Sequence, residues 1–185
     1  MASDKTNIEQ FDQTANDFKA WVSRAEDLYT SSEVLREKVT SLKLDIQNDL
    51  VEAIRDLKYA GLTFQSAMLQ GFSMEAFLKA YWLTQGNKVA EDGHYSIPSI
   101  KQDFHDLPSI ADGVGFALSN DEREVLHRLS LIVSSYGRYP INKRWQHNPL
   151  TPDKHGIPHR LSWINEDHAV AETIIERLIN ATRSA

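Results

Sequence analysis

The chain has 185 residues, 41% hydrophobic and 25% charged, with a formal net charge of −6 and no cysteine. That length can build one domain with its own core, and the absence of cysteine excludes disulfides, thiolate nucleophiles and cysteine zinc sites. No apolar run approaches the ~20 residues of a membrane span, and the start, Met1-Ala2-Ser3-Asp4-Lys5, lacks the apolar stretch of a signal peptide, so a cytoplasmic protein with no membrane association is expected.

The chain order is helical throughout. Thr6-Asn7-Ile8-Glu9 has the form of a capping box, in which the hydroxyl accepts an orphan backbone N–H and the glutamate reaches back. Ile8, Phe11, Ala15, Phe18, Val22, Ala25 and Leu28 then recur at intervals of three and four, one apolar stripe of a first helix. Thr30-Ser31-Ser32-Glu33 repeats the capping form ahead of a second helix carrying Leu35, Val39, Leu42, Ile46, Leu50, Ile54 and Leu57. Gly61 is the expected stop, since glycine takes the left-handed C-terminal conformation without strain. A third helix is predicted from about Thr63 to Gln85, ending at Gly86. Its apolar residues, from Phe64 and Met68 to Tyr81 and Trp82, cover more than one face, which marks it as the central, most buried helix.

The stretch from Asn87 to Gly115 is rich in glycine, proline and aspartate and is expected to be mostly loop, with a short helix near Ser109. Ser119-Asn120-Asp121-Glu122 is a third capping box, and its helix should stop before Pro140. Asn165 starts the last helix, with Ile174, Ile175, Leu178 and Ile179 on its apolar side. No alternating strand pattern of useful length is present. The predicted fold is all-α, an up-and-down bundle of about five main helices with a long N-terminal helical hairpin. It forms a single helical domain over 1–185.

The stretch from Gly137 to Arg160 stands apart. Arg138, Lys143, Arg144, Lys154 and Arg160 against Asp153 alone make it +4, leaving −10 on the rest of the chain. Four of the six prolines fall in it, and Tyr139 and Trp145 interleave with the cations. Aromatic rings that stack bases beside cations that hold phosphates are the physical recipe for single-stranded nucleic acid. The other reading of the same residues is a solvated loop whose cations pair with the acidic body. Arg138 and His147 form a candidate catalytic pair for phosphodiester cleavage, the histidine as general acid or base and the arginine holding the charge that develops. Tyr139, Lys143, Arg144, Trp145 and His105 are candidate substrate contacts. His155 and His159 lie four apart, but Gly156 and Pro158 between them argue against a helical metal pair, and no metal or cofactor is expected. Glu75 and Lys79, one turn apart on the buried central helix, read as a structural ion pair. Asp106, after His105, reads as the cap of the short helix ahead.

Taken together, Met74-Glu75-Ala76-Phe77-Leu78-Lys79-Ala80, a following Gly86, His105-Asp106-Leu107 and then Gly137-Arg138-Tyr139-Pro140 resemble the HEPN superfamily of helical domains. The resemblance covers about Phe64 to His147. It divides the chain into an N-terminal extension over 1–60, a HEPN-like core over 61–147 and a loop with the last helix over 148–185. It implies a dimeric bundle acting in RNA metabolism or defence: a metal-independent toxin ribonuclease, or a partner of a nucleotidyltransferase or antitoxin. Active members carry an arginine, four to six residues, then a histidine. Here eight residues separate Arg138 from His147 and two separate Arg144 from it. Both a ribonuclease with atypical spacing and a non-catalytic binding module fit the residues.

Overall fold

The computed structural model describes residues 2–43, 49–96, 105–136, 163 and 165–183. Among them the chain is an all-α helical bundle with one two-stranded hairpin. The helices are α1 (Ala2–Ala15), α2 (Phe18–Lys43), α3 (Asp49–Thr84), α4 (Leu107–Gly113), α5 (Asn120–Leu131) and α6 (Asn165–Arg183). The strands β1 (Ala90–Glu91) and β2 (His94–Tyr95) lie between α3 and α4, and a π-helical turn, Ile132–Tyr136, continues α5. No described helix is long and apolar enough to cross a membrane.

Helix α3 is the axis of the fold. Its 36 residues, at 1.5 Å each, run ~54 Å. It packs along α2 and also meets α4, α5, the π turn and α6. Met74, Phe77 and Leu78 of α3 are fully buried against Leu107 and Ile110 of α4, Leu126 and Leu129 of α5, and Ile174, Ile175 and Leu178 of α6. Each such side chain contributes about 1.5–3 kcal/mol on burial. The α2–α3 seam is made close by small residues: Ala25 and Ala67 are fully buried, Ser73 Oγ donates to the Ala25 carbonyl at 2.7 Å, and Ser66 Oγ donates to the Ser32 carbonyl at 2.9 Å.

The first helix junctions fall elsewhere than the capping patterns predict. Helix α1 is already running at Thr6, and it breaks at Asn16–Asp17 rather than continuing to Leu28. Asn16 leaves the helix to serve the hairpin: its amide donates to the Ala90 carbonyl at 2.7 Å and its oxygen accepts from Val89 N and Ala90 N. Asp17 then accepts from Lys19 N at 3.0 Å and starts α2. Thr30-Ser31-Ser32-Glu33 caps nothing. Helix α2 runs through it, with Ser31 Oγ turned back on the Asp27 carbonyl. Gly61 does not stop a helix either, because α3 passes through it and ends only at Thr84, before Gly86 at φ +80°. The stretch after α3, expected to be mostly loop, also holds a short hairpin: Asp92 (φ +52°) and Gly93 (φ +74°) form its two-residue turn. The Ser119 capping box forms, with Glu122 N on Ser119 Oγ at 3.2 Å and Ser119 N on Glu122 Oε2 at 2.7 Å.

Helix α6 is held to α2 and α3 by polar contacts. Tyr29 donates to Glu172 at 3.2 Å, and Arg36 pairs with both Glu33 and Glu172. His168 is 7% exposed, with Nδ1 3.1 Å from Gln70 Oε1 and its ring edge-on to Trp163 at 5.2 Å. Burial, with the Arg36 charge in support and Asp167 opposing, pushes the His168 pKa down to about 4.

Two glycine substitutions are expected to move stability in opposite directions. At Gly61 nothing lies within 4 Å of an added Cβ, so Gly61→Ala should stabilise by about 0.5–1 kcal/mol through helix propensity. At Gly71 an added Cβ would stand 2.4 Å from Val133 Cγ2. Valine is stiff at χ1, and overpacking of about 1–3 kcal/mol outweighs a propensity gain of about 1 kcal/mol. Gly71→Ala should therefore destabilise, with part of the loss recovered by adding Val133→Ala; urea midpoints measure both. A third expectation concerns acid. The unfolded chain binds a proton on His168 near pH 6.5 that the folded chain refuses until about pH 4. Stability should fall as pH drops through that window, by on the order of 3 kcal/mol at its end. In His168→Gln the slope from this group should vanish in unfolding curves taken between pH 7 and 4.

Candidate functional site

Arg138, Tyr139, Lys143, Arg144, Trp145 and His147 lie outside the described residues. Of the other four candidates, Glu75, Lys79 and His105 come together, and Asp106, next in sequence to His105, caps α4. Helix α3 projects Glu75 and Lys79 from one face, one turn apart, with exposures of only 7% and 5%. Lys79 Nζ donates to Glu75 Oε1, and the second carboxylate oxygen lies 3.0 Å from His105 Nδ1. Glu75 thus bridges a lysine and a histidine.

The corner that carries His105 is fixed from two sides. Asp106 caps α4 by accepting from Ser109 N at 3.2 Å. Leu107 N donates to Ser130 Oγ of α5 at 2.9 Å, and that hydroxyl donates on to the Leu126 carbonyl. The His105 ring also meets Phe72 edge-on, centroids 6.0 Å apart. A carboxylate against one ring nitrogen sets the tautomer and orientation of the imidazole. On its other side Lys79 Nζ stands 4.9 Å from the Trp21 ring centroid and 5.5 Å from that of Tyr95. At such distances the ring quadrupole attracts the ammonium.

Burial opposes ionisation of Glu75. The His105 hydrogen bond, the Lys79 charge and the Lys79 hydrogen bond outweigh it and hold the carboxyl below its ordinary value. The cluster borders a 290 Å³ cavity whose lining includes Trp21, Arg24, Leu28, Phe72 and Lys79. Trp21, Arg24 and Tyr95 were not among the residues that the sequence patterns select. The signal for Tyr95 was the Asp92-Gly93 hairpin dipeptide, and for Trp21 its place one turn before Ala25 on the buried stripe. Arg24 carries no sequence signal.

No family model, no curated protein and no solved structure matches this chain.

A buried ion pair is costly to break because the remaining charge has lost both water and partner. Lys79→Met should destabilise by about 3–5 kcal/mol, and Glu75→Gln combined with Lys79→Met should lose clearly less than the sum of the two single changes. Because the Glu75 carboxyl is depressed, its contribution is present above the ordinary glutamate range and should disappear as pH falls through its lowered value. Urea unfolding of wild type and Glu75→Gln at neutral and acid pH measures that difference.

Proposed function

We propose that this is a HEPN-like protein that binds RNA or a nucleotide through its phosphates and cleaves RNA as part of a toxin or antiphage defence system, acting as a homodimer. The observation that carries the reading is the contact of Glu75 and Lys79 with His105. Two sequence motifs separated by 25 residues or more share one buried cluster, as a common functional core requires. A second support is the exit of α5. Its π turn lays Val133 against Gly71, one turn before Glu75 on α3, and ends at Tyr136, two residues before Arg138. Segments of π-helix occur frequently at functional sites.

In this reading Arg138 and Arg144 take phosphate oxygens, with Lys143 adding charge. Tyr139 and Trp145 stack bases. His147 serves as general base toward the ribose 2′-hydroxyl, which attacks the adjacent phosphorus, and Arg138 stabilises the charge gathering on the phosphoryl oxygens. The 5′-oxygen leaves with a proton, so the products are a 2′,3′-cyclic phosphate and a 5′-hydroxyl. The eight residues between Arg138 and His147 favour a second reading, in which the same surface binds without cleaving and the chain partners a nucleotidyltransferase or an antitoxin.

Purified protein incubated with total RNA in EDTA should produce fragments with cyclic phosphate ends, and Arg138→Ala should lower the rate at least 100-fold. Absence of cleavage by the wild type, or equal cleavage by Arg138→Ala, rejects the ribonuclease. Retained RNA binding that weakens in Arg138→Ala would then leave the binding module standing.

A further inference from the structure

A second cavity, of 440 Å³, adjoins the cluster on the far side of Trp21. Its size falls within the range of small-molecule sites. It opens where α1 gives way to α2, and its walls include Phe11, Ala15, Ala20, Trp21 and Tyr95, with Arg24 at the rim. The walls are tied in place. Trp21 Nε1 donates to the Ala15 carbonyl at 2.7 Å, Gly93 N donates to Asp12 Oδ1 at 3.0 Å, and Asn16 holds Val89 and Ala90. The Trp21 and Tyr95 rings lie 6.4 Å apart at 26°, so they present nearly parallel aromatic faces.

Among the described residues, two polar groups on this cavity are uncommitted. Arg36, Arg123, Arg128, Arg177 and Arg183 each pair with a carboxylate. Arg24, exposed at the cavity rim, pairs with no described residue. The Tyr95 hydroxyl likewise makes no hydrogen bond to a described residue. Phe11, 44% exposed, leaves an apolar edge in water beside them.

We propose that this cleft binds a small, flat, mostly apolar molecule bearing a single carboxylate, with Trp21 and Tyr95 against its ring and Arg24 on its anionic head. The charge argument selects the class. One guanidinium matches one carboxylate in a bidentate pair, whereas among the described residues that line the cleft a phosphate dianion would meet a single cation on otherwise apolar walls. A cationic ligand is disfavoured by Arg24 at the rim and by Lys79 behind the two rings. None of the described lining residues takes a part in the RNA reading.

The probe is 2-naphthoate, titrated by calorimetry into the full chain. Saturable binding is expected, with a Kd on the order of 100 µM. Arg24→Gln should weaken it at least tenfold, Arg24→Lys should recover part of the loss, and neutral 2-naphthylmethanol should bind at least tenfold more weakly than the carboxylate. Arg24 has no described partner, so Arg24→Gln should keep the wild-type melting temperature, which makes the comparison one of binding. The readout is 2-naphthoate binding and not RNA cleavage, so a failed RNA experiment leaves this result separate. No saturable binding at millimolar concentration, or equal affinity in Arg24→Gln, or equal affinity for the alcohol, overturns the proposal.

Discussion

The carboxylate of Glu75 is the constraint on which the arrangement turns. It is an ionised group with 7% exposure on α3. Removing such a charge from water costs several kcal/mol, and only close, hydrogen-bonded partners offset that. Both oxygens are engaged, one by Lys79 and one by His105. His105 begins the corner that Asp106 and Ser130 hold between α4 and α5. Lys79 sits against Trp21 of α2 and Tyr95 of the hairpin. A single carboxylate therefore bears on α2, α3, the hairpin and the entry to α4. Hydrophobic burial supplies most of the stability, but it is non-directional. The Glu75 bridge adds direction, because its oxygens hold Lys79 and the His105 ring at hydrogen-bonding distance.

The same logic explains the break at Asn16. A continuous helix from Ala2 to Lys43 would satisfy its own backbone. The chain instead interrupts it and spends the Asn16 amide on three backbone groups around β1. A two-stranded hairpin is marginal alone, and this one is held by Asn16, by Asp12 on Gly93 and by the contact of Tyr95 with Trp21. The interruption thus exchanges regular helix for a fixed aromatic wall, and the cavity beside Arg24 lies in the angle that it opens.

What the sequence made legible follows from which signals are local. The Ser119 box was readable because its hydroxyl and glutamate act only on their own first turn. The Asp106 cap is of the same kind. The junctions before α3 were not readable from capping patterns. Serine and threonine that can cap a helix also bond back to a carbonyl one turn earlier inside it, as Thr14, Ser31 and Thr40 do. Gly61 costs about 1 kcal/mol in a helix, too little to end one that is packed along α2. Tertiary contact decided those boundaries. Of the candidate site, the Glu75–Lys79 spacing was visible as a one-turn pair, but the link of Glu75 to His105, 30 residues on, and of Lys79 to Trp21, 58 residues before, is long-range. Such links leave no periodic trace.

Lys79 stands between the two regions of chemistry. On one side it completes the carboxylate bridge to His105. On the other its charge lies behind the aromatic pair that walls the Arg24 cleft. Energetic coupling between sites requires a shared element that both can bias. A ligand on Trp21 and Tyr95 would alter the field at Lys79, and a change at His105 would alter the carboxylate that neutralises it. Lys79 is thus the group that the His105 cluster and the Arg24 cleft hold in common, the one element here through which either could bias the other.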